Sequence, residues 1–378
     1  MDTFDFIVTL AKIVGLVFLV VMPMVAYTVY AERRVSAIIQ DRVGPNRVGL
    51  PLTLFGAKKD LRFLGLFQPM ADGLKFLLKE DFTPKHVRKF YFWLAPALAL
   101  VPALLTCAVV PFGSSIVIPW NGGQKTIDLV VANLNVGPLF VFAIASLGVY
   151  GIVLGGWASN SKFPFFGGVR SSSQMISYEI ALGLSLVPVL LAMGELNLVE
   201  ITLAQSKQGW NLLPFAMGRE FSLERWLLVI PLGIAFITFV ISMFAETNRL
   251  PFDLPECETE LVGGYHTEYS SMKFALFFMG EYAAMVVGSA LTVTLFLGGW
   301  SLPLGLDRYL PERSIWVGLL HMVVFLAKVV GFLIFFIWVR WTLPRLRYDQ
   351  LMRLGWIWLF EIALLNILLT AGILMWIH

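Results

Sequence analysis

Eight apolar stretches of about 18 to 25 residues, almost free of charge, constrain this chain more than any other feature. Each is long enough to cross the hydrocarbon core of a bilayer as a helix. Hydrophobic residues make up 58% of the 378, and charged residues only 14%, so a soluble fold is excluded. The sequence predicts an all-α, polytopic integral membrane protein, a single membrane domain over 1–378. The predicted spans are 6–30, 91–113, 136–157, 175–193, 226–245, 274–298, 315–339 and 355–377.

The basic residues are distributed unevenly among the loops between these spans. Of the 28 Lys and Arg residues, 20 lie in the odd-numbered loops and 6 in the even-numbered loops. The positive-inside rule therefore predicts odd loops on the cytoplasmic or equivalent negative side, and both termini on the outer side. The first span follows Asp2 and Asp5 rather than a basic segment, which predicts a retained helix and not a signal peptide.

The residue types that hold metals and cofactors are scarce. Two cysteines and four scattered histidines argue against a disulfide framework, a metal site or a haem site in this chain. The net charge of +3 gives no footprint for nucleic acid, so no such partner is expected. We expect this chain to bind no cofactor of its own.

The first odd-numbered loop is unusually long and contains a candidate amphipathic helix. In 68–81, Met70, Leu74, Leu77 and Leu78 recur at helical spacing. This pattern predicts a helix that lies on the lipid headgroups, that roofs a cavity, or that does both. The triplet 32–34 (Glu-Arg-Arg) directly follows the first span. From the sequence alone, it is typical of an ordinary basic membrane anchor.

The fifth loop, 246–273, is acidic on the side where basic residues should dominate. Six acids and one arginine fall within 23 residues, 246–268. Crowded carboxylates raise one another's pKa, so some should exchange protons near neutral pH. A solvated acidic loop is the alternative, but the interleaved apolar residues argue against it.

Four carboxylates lie near the predicted inner ends of four different spans. Glu179, Glu281 and Glu361 fall about 6 to 10 Å inside, and Glu246 lies at the boundary. Ionisable groups in spans are costly and face a protein interior or water, so a shared polar cavity is expected. Lys328 lies about 20 Å from the outer end of its span, where we expect it to pair with a carboxylate or to extend the polar path.

Several motifs, spread in order over the whole chain, resemble one known family. They include 31–34 (AERR), 42–49 (RVGPNRVG), 68–75 (QPMADGLK), 177–179 (SYE), 245–253 (AETNRLPFD) and 345–350 (RLRYDQ). Together they resemble the H subunit of the proton-pumping NADH:quinone oxidoreductases, respiratory complex I.

The resemblance implies a subunit that is inactive alone and forms much of a quinone chamber between the peripheral and membrane arms. FMN and iron-sulfur clusters would reside in partner subunits of the peripheral arm, and quinone would be the substrate. The implied membrane is the bacterial inner (plasma) membrane or an equivalent organellar one. The sequence leaves ubiquinone and menaquinone open as the quinone.

The resemblance also assigns residues by motif. Those that resemble chamber positions are Glu32, Arg33, Arg34, Arg42, Arg47, Asp72, Lys75, Asp253, Glu256, Glu258 and Glu260. Those that resemble the family's proton path are Glu179, Glu246, Glu268 and Glu281, to which Lys328 is added from its depth. The loops 31–90 and 246–273 are thus expected to line the chamber.

The chain departs from the family pattern at Cys257 and in the last span. Glu361, in 357–361, therefore receives no role by resemblance. Two other functions remain open: the anchor subunit of a membrane-bound hydrogenase, which needs no quinone, and a stand-alone ion or solute transporter. The second would predict internal repeats, and none is seen.

Overall fold

The computed structural model describes residues 3–49, 62–120, 123–213, 223–311 and 314–377. Within these ranges, eight helices are long and apolar enough to cross a membrane, which confirms the predicted polytopic all-α architecture. They are Phe6–Ile39, Lys89–Val109, Gly137–Ala158, Lys162–Met193, Trp226–Glu246, Ser271–Phe296, Ile315–Thr342 and Tyr348–Ile377.

Several spans are composed of more than one helical element. In chain order the α-helices are α1 Thr3–Val14, α2 Met22–Ile39, α3 Gln68–Leu78, α4 Lys89–Thr106, α5 Gly137–Ala145, α6 Leu147–Ala158, α7 Lys162–Met193, α8 Leu198–Gln208, α9 Leu223–Glu246, α10 Glu258–Leu261, α11 Ser271–Phe296, α12 Ile315–Thr342, α13 Tyr348–Arg353 and α14 Phe360–Ile377. A π-helical segment, Gly15–Val21, joins α1 to α2, and another, Leu354–Leu359, joins α13 to α14. Short 3₁₀ helices occupy Cys107–Val109, Gly264–His266 and Pro303–Tyr309.

One small sheet interrupts the helical pattern in the first even-numbered loop. Strands β1 Ile116–Trp120 and β2 Gly123–Ile127 form an antiparallel hairpin in which Ile116 pairs with Ile127. Ile116 packs against α12, where a Cβ on Gly318 would lie 2.4 Å from its side chain. Gly318 is therefore needed for the hairpin to close over the end of this helix.

The largest boundary error concerns the fourth span. The sequence places it at 175–193, whereas α7 begins at Lys162. Lys162 and Arg170 interrupt the apolar stretch, so the predicted span begins after them. A helix nevertheless continues wherever its charged side chains remain hydrated. In the third span, Ser146 separates α5 from α6.

Helix α11 forms the centre of the bundle. Almost all of its C-terminal two thirds is buried, including Ser289, Thr292 and Thr294. By contrast, α1 and α14 expose apolar side chains such as Leu10 and Leu365, which is normal for helices that face lipid or another membrane chain.

Glycines allow α4 to pack closely against two neighbours. A Cβ on Gly151 of α6 would lie 2.6 Å from the backbone nitrogen of Ala99, and one on Gly280 of α11 would lie 3.1 Å from the Ala99 oxygen. Small residues allow such close approach of membrane helices, whose association relies on van der Waals packing. Because Glu281 follows Gly280, this contact also fixes the position of the Glu281 carboxylate.

Candidate functional site

A cavity of about 800 Å³, here called the entrance cavity, lies between α2, α3, α11 and α12. Most of its wall is apolar and includes Val25, Ala26, Phe76, Phe278 and Met279. One part of the wall is polar and contains Glu32, Arg33, Arg42, Asp72, Tyr282 and Arg340. The cavity thus suits a molecule with a long apolar part and a polar head.

Helix α3 forms one wall of the entrance cavity and confirms the predicted amphipathic helix. Its Met70 and Leu74 are exposed, so the described part of the chain does not cover this apolar face. Its Asp72 accepts a hydrogen bond from Gln68 at 3.0 Å and forms an ion pair with Arg33 at 2.7 Å. The Asp72–Arg33 ion pair therefore links α3 to α2 at the polar part of the cavity.

The segment 44–46, between α2 and α3, packs against Gly65, just before α3. Gly65 has a φ of +80°, and a Cβ there would lie 2.4 Å from the Pro45 oxygen. Any other residue at position 65 would clash with the segment 44–46 as well as strain its own backbone. The Arg34 side chain packs against Gly44 of this segment.

Glu32 is the most highly connected acid of the entrance cavity. It is 8% exposed, and its carboxylate accepts hydrogen bonds from the Tyr282 hydroxyl and from Arg340. Buried charges of this kind are stable only when paired and hydrogen-bonded, as this one is. Three helices, α2, α11 and α12, thereby converge on one carboxylate.

Arg249, the single base of the acidic loop, is buried next to Glu32. Its Nη1 is 4.0 Å from Glu32 Oε1 and its Nη2 is 3.9 Å from Glu281 Oε2. Its guanidinium lies over the Tyr282 ring, 4.2 Å from the ring centroid. Burial disfavours its charge, but Tyr282, Glu32 and Glu281 outweigh this and hold the pKa of Arg249 above its usual range.

A second cavity, here called the carboxylate cavity, has a volume of about 90 Å³, and one of its lining residues is Glu281, the second carboxylate near Arg249. Three predicted proton-path residues line it: Glu179 of α7, Glu246 of α9 and Glu281 of α11. The Glu281 carboxylate accepts a hydrogen bond of 2.7 Å from the Tyr265 hydroxyl. Within the described ranges, Glu246 Oε2 is buried without a hydrogen-bond partner. A site of this size and polarity can hold water.

Ser146, between α5 and α6, lies beside this cavity, since Phe142, Ala145 and Gly148 all line it. Its backbone stays α-helical, and its N–H donates to the Phe142 oxygen at 3.0 Å, so the third span continues past the cavity.

The acidic loop contains a separate ion pair between Asp253 and Arg345. Arg345 Nη2 lies 2.8 Å from Asp253 Oδ2, and its Nη1 donates to Cys257 Sγ at 3.0 Å. Burial, reinforced by repulsion from Glu256, raises the pKa of Asp253 to about 6 although Arg345 lowers it. The predicted proton exchange near neutrality thus has a specific candidate in this loop.

The other acids of this loop have different surroundings. Glu260 is exposed and pairs with Arg170 at 2.6 Å, while Glu256 interacts electrostatically with Arg249 and Asp253. Glu268 is partly buried and is not among the residues that line the carboxylate cavity. The side chain of Glu258 lies outside what the structure describes, although its backbone begins α10.

Not every predicted chamber residue lines the entrance cavity. Arg34 packs beside Gly44, Arg47 is exposed, and Lys75 lies on the exposed side of α3. Of the loop 246–273, only Met272 is among the lining residues. The roles assigned to these residues remain predictions.

Lys328 has no carboxylate at ion-pair distance within the described part of the chain. Its ammonium donates to the carbonyl oxygens of Leu297, Gly299 and Ser301 at 2.8, 2.9 and 2.7 Å. It also lies 4.1 Å from the ring centroid of Trp210. All three N–H donors are satisfied, so the expected ion pair is wrong, while a place in the polar path stays a prediction.

Glu361 does not join the carboxylate cavity. It is exposed on α14 and is not among the lining residues. The prediction used only depth along a span, and depth does not specify which face of the helix is turned inward. The expected layer of four carboxylates is therefore a cavity with three.

Sequence reasoning missed several residues that complete the site. Arg340 resembles an ordinary basic anchor at the inner end of a span, and Tyr282 resembles a lipid-facing aromatic. Arg249 was noticed only as the single base of an acidic loop. A base isolated among acids is a signal that its charge is buried, and this signal could have identified Arg249.

The described residues contain no group of three or more His, Cys, Asp or Glu side chains that could hold a metal ion. The ionisable groups that line the two cavities are instead carboxylates, tyrosines and, in the entrance cavity only, arginines. Such groups can bind a polar ligand, move protons and respond to a change of charge.

Comparison with known proteins identifies the family. The family model described as NADH dehydrogenase matches residues 11–371. The chain is 48% identical to the NADH-quinone oxidoreductase H subunit numbered 1 of Geobacter metallireducens, over 98% of each chain. It is 44% identical to the H subunit numbered 1 of Cytophaga hutchinsonii, over 97% of each, and 46% identical to the H subunit of Ehrlichia ruminantium, over 96% of this chain and 88% of that one. The chain therefore belongs to the family of NADH-quinone oxidoreductase H subunits, membrane subunits of complex I.

Proposed function

We propose that this integral membrane subunit of complex I binds quinone in the entrance cavity and passes the charge change of quinone reduction to the carboxylate cavity. The observation that carries the proposal is the position of Arg249, within 4.0 Å of Glu32 in one cavity and 3.9 Å of Glu281 in the other. Arg249 lines neither cavity, but it is a counter-ion shared by one carboxylate of each.

The shape and chemistry of the entrance cavity suit a quinone. Its volume of about 800 Å³ falls within the range of roughly 300 to 1,000 Å³ of small-molecule sites. The apolar wall would hold the tail. A quinone ring carries two carbonyl acceptors, and Arg33, Arg340 and Tyr282 are the donors at the polar part.

Quinone reduction changes the charge beside Glu32. Each quinone takes up two electrons and two protons to become a quinol, so negative charge precedes or accompanies each proton. Negative charge near Arg340 and Arg33 competes with Glu32 and Asp72 for these cations. Arg249 would then interact more strongly with Glu32 and less strongly with Glu281.

The carboxylate cavity provides the proton response. When Arg249 moves toward Glu32, the negative form of Glu281 loses stabilisation and favours a proton. Glu246 and Glu179 share the cavity with Glu281, so the proton can be drawn from either through water. Asp253, with its pKa of about 6, would respond to the same charge from the acidic loop.

The electrons would come from partner subunits of the peripheral arm that hold FMN and iron-sulfur clusters. The remaining subunits of the membrane arm would continue the proton path. We place the complex in the bacterial inner membrane, because the bacterial relatives carry the same subunit name. No observation in the described part of the chain favours a hydrogenase anchor or a stand-alone transporter.

One helix offers a matched test of the quinone site. Ala26 of α2 lines the entrance cavity, whereas Ala31 of the same helix lines a groove between α2 and α12. Ala26→Phe should raise the KM for quinone, since the larger ring fills the cavity. Ala31→Phe adds the same ring on another face of the helix and should leave the KM unchanged. The measurement is quinone reductase activity of the assembled complex over a range of quinone concentrations.

An equal KM in both variants and the unaltered complex, with normal assembly, would contradict quinone binding in this cavity. A rise in Ala31→Phe alone would place the quinone between α2 and α12 instead.

A further inference from the structure

A third cavity lies away from both proposed sites, at the inner ends of α4, α6 and α7. We call it the aromatic groove. Its volume is about 400 Å³, and it is lined by Tyr91, Val153, Leu154, Trp157, Phe165 and Val169. None of these lining side chains is charged, and neither the entrance cavity nor the carboxylate cavity shares them.

Close contact between two glycines creates the groove. Gly156 of α6 lies so close to α7 that a Cβ there would be 2.5 Å from the Pro164 oxygen and 3.3 Å from the Gly168 Cα. With the two backbones in contact, the large Trp157 and Phe165 rings stand on either side of the crossing. They remain 40% and 47% exposed, although both are large and mostly apolar. The described part of the chain therefore leaves this groove uncovered.

Basic residues surround the inner end of the groove. The Arg88 guanidinium lies 4.2 Å from the Trp157 ring centroid. The backbone N–H of Arg88 donates to the Ala158 backbone oxygen at 3.1 Å, and this bond joins the start of α4 to the end of α6. Lys89 is the first residue of α4 and Lys162 the first of α7. Lys162, Phe165 and Val169 are spaced three and four residues apart, so they share one face of α7.

These features together describe the surroundings of a phospholipid. The aromatic rings and the basic residues occur where the positive-inside rule places the inner membrane surface, and tyrosine and tryptophan favour that level. Two helix N-termini, of α4 and α7, add partial positive charge there. A phosphate would meet three basic side chains, and an acyl chain would extend into an apolar groove.

We propose that the aromatic groove binds an anionic phospholipid of the inner leaflet, with one acyl chain in the groove and the phosphate beside Arg88, Lys89 and Lys162. A transmembrane helix of another subunit fits less well. A helix of 10 Å diameter and 5.4 Å pitch fills roughly 400 Å³ per turn, so the groove would accept only about one turn. Three basic residues at its end also complement a phosphate.

The test uses the intact complex reconstituted into vesicles of phosphatidylcholine with one of two photoreactive probes. One probe is a phosphatidylglycerol with the photoreactive group in its acyl chain, and the other is the matched phosphatidylcholine. We expect the phosphatidylglycerol probe to label peptides from 153–169 in preference to the phosphatidylcholine probe. The double variant Lys89→Gln, Lys162→Gln should lower this labelling about thirtyfold, because each basic residue near an anionic lipid contributes about 1 kcal/mol and the two together about 2 kcal/mol.

Two further variants keep the result interpretable. Val169→Trp fills the groove without changing the charge, and it should abolish labelling by both probes at 153–169. Lys207→Gln, an exposed lysine on α8 at the predicted outer side, should leave labelling unchanged.

Three outcomes would overturn the proposal. The first is equal labelling of 153–169 by both probes. The second is labelling that the double lysine variant does not lower. The third is a crosslink from a photoreactive residue placed at Val169 to a peptide of another subunit, which would show that protein covers the groove.

Discussion

Buried charges are stabilised in different ways in the two halves of this bundle, here called the inner and the outer half after the sides that the loop charges predict. In the inner half, Arg249 lies 3.9 to 4.0 Å from the two carboxylates that neutralise it. In the outer half, Lys328 is held at 2.7 to 2.9 Å by three backbone carbonyls. Protonation of a carboxylate removes the negative charge that attracts a cation. A backbone carbonyl has no such protonation and continues to accept hydrogen bonds. The inner arrangement can therefore respond to protonation of its carboxylates, whereas the outer one does not depend on a carboxylate.

The outer arrangement also explains how the chain ends α11 inside the bundle. Gln205 of α8 donates to the Thr294 oxygen at 2.8 Å and accepts from the Gly298 N–H at 3.0 Å. With Lys328, it satisfies backbone groups that α11 leaves open where the helix stops. Buried irregular backbone requires such partners, so we assign Lys328 and Gln205 to the stability of the fold.

The largest expected effect comes from removal of the shared cation of the inner half. Arg249→Gln leaves Glu32 and Glu281 without their common counter-ion, and a buried pair that loses one partner costs about 3 to 5 kcal/mol. We expect quinone reductase activity to fall about tenfold or more. The measurement is NADH:quinone activity in membranes, divided by NADH oxidation with a water-soluble acceptor that reports the assembled peripheral arm.

Two controls separate this effect from general damage. Arg353→Gln changes an exposed arginine of α13 and should keep full activity. Arg249→Lys keeps the charge but cannot reach both carboxylates equally, so it should recover only part of the activity. Full activity in Arg249→Gln would remove the basis for coupling between the two cavities.

In the outer half, Lys328→Met should affect stability more than catalysis. Three buried carbonyls lose their donor, at about 1 to 3 kcal/mol for each group left unpaired. We expect the complex to dissociate at a lower temperature, measured by thermal denaturation in detergent, with nearly normal turnover per assembled complex. A large loss of turnover with unchanged thermal stability would instead support the proton-path role predicted from the sequence.

Within the inner half, the Asp253 pair should respond to pH. Because burial raises the pKa of Asp253 to about 6, above that of an exposed aspartate, protonation favours the folded loop, and above pH 6 the loop carries the cost of a buried charge that Arg345 only partly offsets. Hydrogen exchange of 253–257, corrected for the intrinsic rate, should therefore be slower at pH 5 than at pH 7.5. Asp253→Asn should remove this difference. A difference that persists in Asp253→Asn would assign the titration to another group.

The smallest effect is expected from a change at Glu361, an acid predicted at a similar depth to the cavity carboxylates but located on a helix face outside the carboxylate cavity. Glu361 lies on α14 and is exposed, outside the carboxylate cavity. Glu361→Gln should leave quinone reduction and proton pumping near the values of the unaltered complex, measured in inverted membrane vesicles. A loss as large as that of a cavity carboxylate would extend the polar path to this face of the bundle.

The sequence was sufficient for the features that depend on local composition. The eight spans and the amphipathic α3 follow from apolar runs and helical spacing, and three of the four acids expected to share a cavity do so. The start of α7 was missed because a helix continues beyond the hydrocarbon, where composition no longer reports on it.

The contacts that define the site could not be derived in this way. Glu32 meets Tyr282 and Arg340, which are 250 and 308 residues away along the chain. Helical periodicity places a residue on a face but does not choose the neighbouring helix, since that choice depends on close packing such as the Gly280 contact with α4. Lys328 is a similar case, because backbone carbonyls leave no mark in the sequence.

The most direct test of the central claim is Glu246→Gln, assayed for quinone reduction and proton pumping in the same vesicles. Glu246 lines the carboxylate cavity but not the entrance cavity, so it can affect quinone chemistry only through the proposed coupling. We predict that reduction and pumping both fall severalfold in assembled complex while Glu361→Gln remains normal. Normal reduction and pumping in Glu246→Gln would contradict the account.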